Sequence, residues 1–174
     1  MKRECNKRLI SSIIAGIIAL SLLLSMPLSF AAKSTVSKTN QPYKIISETK
    51  EQHANGISIT IIIGELYQNQ VYSNTYNKSG FKSYVARNKE GKELWRFTVN
   101  GTFSIHPGES SVCTSSSYNI KITEDSWKME KASTRKTGNK AIGDATFIKK
   151  LLLITVERKN CSVTLSCDKN GNLY

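Results

Sequence analysis

Residues 93–105, ELWRFTVNGTFSI, decide the fold class. Trp95, Phe97, Val99, Phe103 and Ile105 fall on alternate positions, and Leu94, Arg96, Thr98, Asn100 and Thr102 fill the places between. An extended chain sends alternate side chains to opposite sides, so one side of this stretch is aromatic and β-branched and the other largely polar. That pattern predicts a strand with one face in a core. Gly101 lies on the aromatic side, where a missing side chain makes room for a bulky neighbour or a bulge. Pro107-Gly108 ends the strand, and Asn88-Lys89-Glu90-Gly91 joins it to Ser83–Arg87 as a hairpin.

The same period of two extends outward. Ile57, Ile59, Ile61 and Ile63 alternate between Gly56 and Gly64. Leu66–Tyr72 is expected to form a further strand, and residues 73–80 (SNTYNKSG) a loop. Downstream, ESSVCTSSS leads to the alternating Tyr118–Ile122, and Thr123–Ser126 turns the chain. Trp127 and Met129 open a short strand with Lys128 and Glu130 outward, and residues 133–140 (STRKTGNK) read as a basic loop. Ala141–Val156 reads as two strands, or one bent strand broken at Lys149-Lys150. Asn160–Cys167 is the last long strand, followed by the turn Asp168-Lys169-Asn170-Gly171 and a short edge at Leu173. Eight or more short strands with closely spaced turns and no helix predict an all-β fold, an antiparallel β-sandwich of immunoglobulin-like architecture. The Cys-Trp-Cys order of antibody domains is absent, because Trp95 precedes Cys113 and Cys167, so the topology stays open.

The N-terminus sets the location. Lys2, Arg3, Lys7 and Arg8 precede an uncharged run from Leu9 to Phe30, and Ser29-Phe30-Ala31 places small residues where a signal peptidase reads. Residues 1–31 are expected to be a cleaved signal peptide, 32–43 a flexible tail and 44–174 a single domain. The competing reading, a membrane anchor, fits the length of the run but not the cleavage-like SFAA and the polar residues that follow. With no lipidation cysteine after the run and no sorting or retention tail, the product is expected to be secreted.

The full chain carries a formal charge of +12. The signal holds four of the basic residues and one acidic residue, which leaves 21 Lys/Arg against 12 Asp/Glu, a net of +9 on the mature part. A basic extracellular protein meets anionic wall polymers, anionic lipid heads and acidic sugars. Lys128, Lys131, Arg135, Lys136 and Lys140 gather around the 131–140 segment as the candidate anion-binding residues, with Lys149 and Lys150 following. Export argues against nucleic acid as a physiological partner.

Three cysteines remain after the signal, in a compartment that permits disulfides. Cys161 and Cys167 are six residues apart in one strand, so their sulfurs sit roughly 20 Å apart and cannot bond. Cys113 pairs with one of them, or all three stay reduced. The favoured pair is Cys113–Cys167, tying distant strands together and leaving Cys161 as a buried thiol or a link to a disulfide-bonded partner.

The runs WRFTVNGTFSI, CTSSS, SWKME and ATFIKKLLLITVERKNCSVTLSCDKNGNL, together covering most of residues 93–173, resemble small exported β-rich proteins of Gram-positive, clostridial-type bacteria. The resemblance implies source and architecture and supplies no activity. Members of that group often carry an aliphatic residue where Cys161 stands, so the resemblance implies a Cys113–Cys167 bridge.

The residues offer no catalytic set. His53 and His106 lie at strand ends with no ligand spacing to the cysteines, and no G-x-S-x-G elbow surrounds the serines at 110–117. Glu124-Asp125 belong to a turn, and Glu90 and Glu93 flank another. Neither cofactor nor metal is expected. Tyr67, Tyr72, Tyr76 and Tyr84 offer stacking contacts for sugars, or ordinary strand packing. The expectation is a secreted, non-enzymatic β-sandwich that associates electrostatically with the cell wall or another extracellular polyanion. The alternatives are a bacteriocin- or toxin-like effector acting on membranes, for which residues 151–156 are the apolar candidate, and a protein-binding module.

Overall fold

The computed structural model describes residues 42–52, 56–67 and 74–174. The expected export signal, most of the expected tail, His53 and residues 68–72 of the expected Leu66–Tyr72 strand lie outside them. Eight strands run in chain order: β1 (Tyr43–Gln52), β2 (Ser58–Leu66), β3 (Tyr76–Arg87), β4 (Glu93–His106), β5 (Ser110–Ile122), β6 (Trp127–Thr137), β7 (Lys140–Leu151) and β8 (Ile154–Ser166). They form two antiparallel sheets, β1-β2-β3-β4-β5 and β6-β7-β8. Within each sheet the strands pair in sequence order, so both sheets are simple meanders without the crossovers of an immunoglobulin domain.

The two sheets share one core. Trp95, Phe97, Val99, Phe103 and Ile105 of β4 are all buried, as their alternation predicts. They meet Phe147 of β7 and Val163 and Leu165 of β8. Trp95 stacks on Phe147 at 4.0 Å between ring centroids, and Trp127 meets Trp95 edge-on at 6.2 Å. Gly101 makes room for the Phe103 ring and Ala141, as its position in the sequence suggests. Across the core, a Cβ on Gly143 would collide with Val99 and Phe97. Close approach of this kind excludes a side chain, because overpacking forces neighbours off their rotamers.

One turn carries the chain from the large sheet to the small one. The backbone N–H groups of Thr123 and Glu124 both donate to the Leu94 carbonyl, at 2.9 and 3.1 Å, and the Trp127 N–H donates to the Glu124 carbonyl at 3.0 Å. The Asn88–Gly91 and Asp168–Gly171 turns form where the sequence places them, each closed by a 3.0 Å bond from the glycine N–H.

Several boundaries differ from the sequence reading. Tyr43–Gln52, partly assigned to the tail, is a strand with every residue exposed. Residues 76–80, expected in a loop, begin β3. Most of the expected basic loop at 133–140 is strand, because β6 runs to Thr137 and β7 starts at Lys140. The break in 141–156 falls at Leu152-Leu153, with only a register shift at Lys149-Lys150.

Candidate functional site

The five candidate anion-binding residues lie along the β6–β7 hairpin, all exposed. Lys128, Lys131, Arg135 and Lys136 are spaced along β6, and Lys140 opens β7 opposite Thr137. Two of the cations are already engaged. Arg135 donates to the Asp144 carboxylate, and Lys136 Nζ donates to the Thr114 carbonyl at 2.6 Å. Asp144 also accepts from Ser162 Oγ at 2.7 Å. The Ser162 bond, then Arg135, holds its carboxyl below the usual carboxylate range. A broad groove on this side of the small sheet is lined by Asp144, Asn160 and Ser162 beside Ala132, Ala145 and Cys161, and Lys131 is the one of the five cations that contributes to it. The set is a spaced row on a strand, not a rim around one loop.

A denser feature stands at the far end of β7. Leu151 pairs with Ile154, leaving Leu152-Leu153 as a two-residue hairpin turn. Leu152 is 92% exposed and Leu153 94%, and Leu151, Ile154 and Val156 are exposed beside them. Leu152 has a φ of 55° and is the one described non-glycine residue with a positive φ. The left-handed region costs an L-residue roughly 1–2 kcal/mol, and such turn positions usually hold Gly, Asn or Asp. Lys149 and Lys150 stand just behind the apolar tip, with Lys128 beside them opposite Ile148. The Lys150 N–H donates to the Ser126 carbonyl at 2.7 Å, which anchors the base of the tip to the intersheet turn. The local arrangement is an apolar point with a cationic collar.

The remaining candidates are dispersed. His106 is exposed and lies 3.1 Å from Thr75 Oγ1 through Nδ1. Tyr76 and Tyr84 pack against the core, Tyr67 is 60% exposed, and Tyr72 lies outside the described residues. Glu124 pairs with Lys92 at 2.9 Å and Glu93 with Arg96 at 2.7 Å. Among the described residues no group of three or more His, Cys, Asp or Glu converges as metal ligands would.

Cys113, Cys161 and Cys167 are free and buried in this structure, so the favoured Cys113–Cys167 bond is not formed in it. These two residues nonetheless converge. The Cys113 N–H donates to Gly138 O at 2.8 Å, and the Cys167 N–H to Asn139 O at 3.1 Å. Burial pushes both thiols up, and Cys167 adds to the rise at Cys113. Cys161 is pushed up to about 12, first by burial and then by Asp144, which leaves it an inert thiol at neutral pH.

Fold and surface together define a small all-β protein of two meander sheets with a lysine-collared apolar hairpin tip. No known protein family matches this chain, and no significant match to it exists among curated proteins or solved structures.

Proposed function

We propose that this is a secreted, non-enzymatic β-sandwich that attaches to anionic membrane surfaces through the β7–β8 tip. The exposure of Leu152 and Leu153 on a strained turn, directly ahead of Lys149 and Lys150, carries the reading. A polyanion in water gives leucine side chains nothing to gain, whereas a bilayer rewards their burial and its anionic heads attract the lysines behind them. Burying a leucine is worth about 1.5–3 kcal/mol, and each lysine near an anionic leaflet adds roughly 1 kcal/mol. The basic excess of the mature chain acts in the same direction over longer range. In this reading the export signal delivers the protein to the outer side of a membrane, and Cys113–Cys167 forms there as a structural bridge.

Vesicle co-sedimentation across a salt series tests the proposal. Wild-type protein is expected on vesicles rich in phosphatidylglycerol and not on phosphatidylcholine alone. Leu152→Asn/Leu153→Asn should weaken binding at least tenfold at every salt concentration. Lys149→Gln/Lys150→Gln should weaken binding at low salt and reduce the salt dependence. Full binding by the leucine variant would overturn the tip as the anchor. Sedimentation with purified wall polymer that needs Lys131, Arg135, Lys136 and Lys140 but not the leucines would return the function to polymer binding.

A further inference from the structure

β1 is an open sheet edge. It stands first in the order β1-β2-β3-β4-β5, and every residue of Tyr43–Gln52 is exposed. An edge strand turns half of its N–H and C=O groups away from its one neighbour, and another strand can pair with them. The register against β2 shifts between Ile45 and Ser47, and from Ser47 to Gln52 it is regular.

The side chains of this regular stretch decide what fits beside it. Glu48 and Lys50 lie opposite Ile62 and Thr60 and share one face. Ser47, Thr49 and Glu51 lie opposite Ile63, Ile61 and Ile59 and share the other. Among the described residues neither Glu48 nor Lys50 is in an ion pair. Edges are commonly guarded by lysines or a bulge. Here the irregularity lies outside the regular stretch, and the two charges within its outer face are opposite in sign.

Geometry restricts how two copies of β1 can meet. Opposed residues of an antiparallel pair turn their backbone groups both toward each other or both away, and the direction alternates along a strand. For identical strands related by a two-fold axis, odd positions therefore oppose odd and even oppose even, so the axis passes through one residue. Centred on Glu48, Lys50 or Glu51, the pair sets that charge against itself, and like charges directly opposite are destabilising. Centred on Ser47 it runs into the register shift, and centred on Gln52 it runs past the end of β1. Centred on Thr49, Glu48 meets Lys50 of the second copy and Lys50 meets its Glu48. On the other face threonine meets threonine, and the Ser47 hydroxyl meets the Glu51 carboxylate. Opposite-charge and threonine pairs of this kind stabilise antiparallel sheets.

We propose that two copies of this chain associate edge to edge through β1, antiparallel and centred on Thr49, to give one continuous sheet with five strands from each copy. The contact is isologous and closes at two copies. It is independent of membrane attachment, since β1 and the leucine tip share no residue.

Sedimentation equilibrium on protein recovered without its first 31 residues, with two charge variants, tests it. The wild type should form a dimer with a Kd of about 100 μM, as suits a small interface, and added salt should weaken it. Glu48→Lys and Lys50→Glu each put like charges at both crossings, so each alone should weaken the dimer about tenfold or more. Mixed together, the two variants oppose unlike charges again and should form a heterodimer of wild-type strength. Both positions are exposed, so each variant should keep the wild-type thermal midpoint. A wild type that stays monomeric at about 1 mM would overturn the dimer. Undiminished association of both single variants would rule out β1 as the interface. Weakened variants that fail to restore each other would rule out the register centred on Thr49.

Discussion

Glu93 shows what a single residue contributes to this sandwich. Its carboxylate meets Arg96 at 2.7 Å, Lys121 at 3.7 Å and Arg87 at 4.0 Å, joining β3, β4 and β5. Burial alone would raise its pKa, but the hydrogen bond and charge of Arg96, followed by Lys121 and Arg87, outweigh burial and hold it below 4.5. A carboxyl with a lowered folded-state pKa contributes stability above its unfolded pKa and loses it as pH falls through the folded value. Glu93→Gln is therefore expected to lower stability by about 1 kcal/mol at pH 7. The difference from wild type should shrink as pH falls from about 5 toward 3. Denaturant titrations at several pH values check this, and a pH-independent difference would show that the lost interaction is not electrostatic.

Among elements, the β7–β8 hairpin sets stability against surface activity. Its turn holds Leu152 at positive φ, where glycine carries no steric penalty. Leu152→Gly is expected to raise the thermal midpoint, with a gain near 1 kcal/mol, while weakening attachment to anionic vesicles. A variant that loses stability would mean the leucine packs against the fold, contrary to its 92% exposure. The same contrast governs what the sequence could reveal. β4 was legible because a strand with one buried face must alternate, and its five apolar positions do. β1 was not, because every residue of Tyr43–Gln52 is exposed and nothing enforces a period. The second half of β6, residues 133–137, resembled a loop for the same reason: past Trp127 its side chains are mostly solvated on an edge strand. The apolar run at 151–156 was visible in the sequence, but its projection from a turn was not, since buried and exposed leucines read alike.

For the whole molecule, the two ends of the sandwich differ in character. At one end the Thr123–Ser126 turn joins the sheets and anchors the base of the leucine tip. Roughly 30 Å along β5, at nine residues and about 3.3 Å each, Cys113 and Cys167 converge on the Gly138-Asn139 turn. A bond between these cysteines would clamp the sheets at the end where the chain does not, enclosing a loop of 54 residues. Closing a loop of that length stabilises by about 4 kcal/mol in the chain-entropy account. Protein recovered from an oxidising compartment without its first 31 residues is therefore expected to show one free thiol when denatured without reductant, with Cys113 and Cys167 in a single linked peptide. Reduction, or Cys113→Ser, should lower the thermal midpoint substantially, and Cys161→Ser should leave the fall on reduction intact. Vesicle binding by the reduced but folded protein should be unchanged, because the tip lies at the other end. Three free thiols in protein so recovered would overturn the bridge, and a loss of vesicle binding on reduction below the midpoint would show that the two ends are coupled through the core.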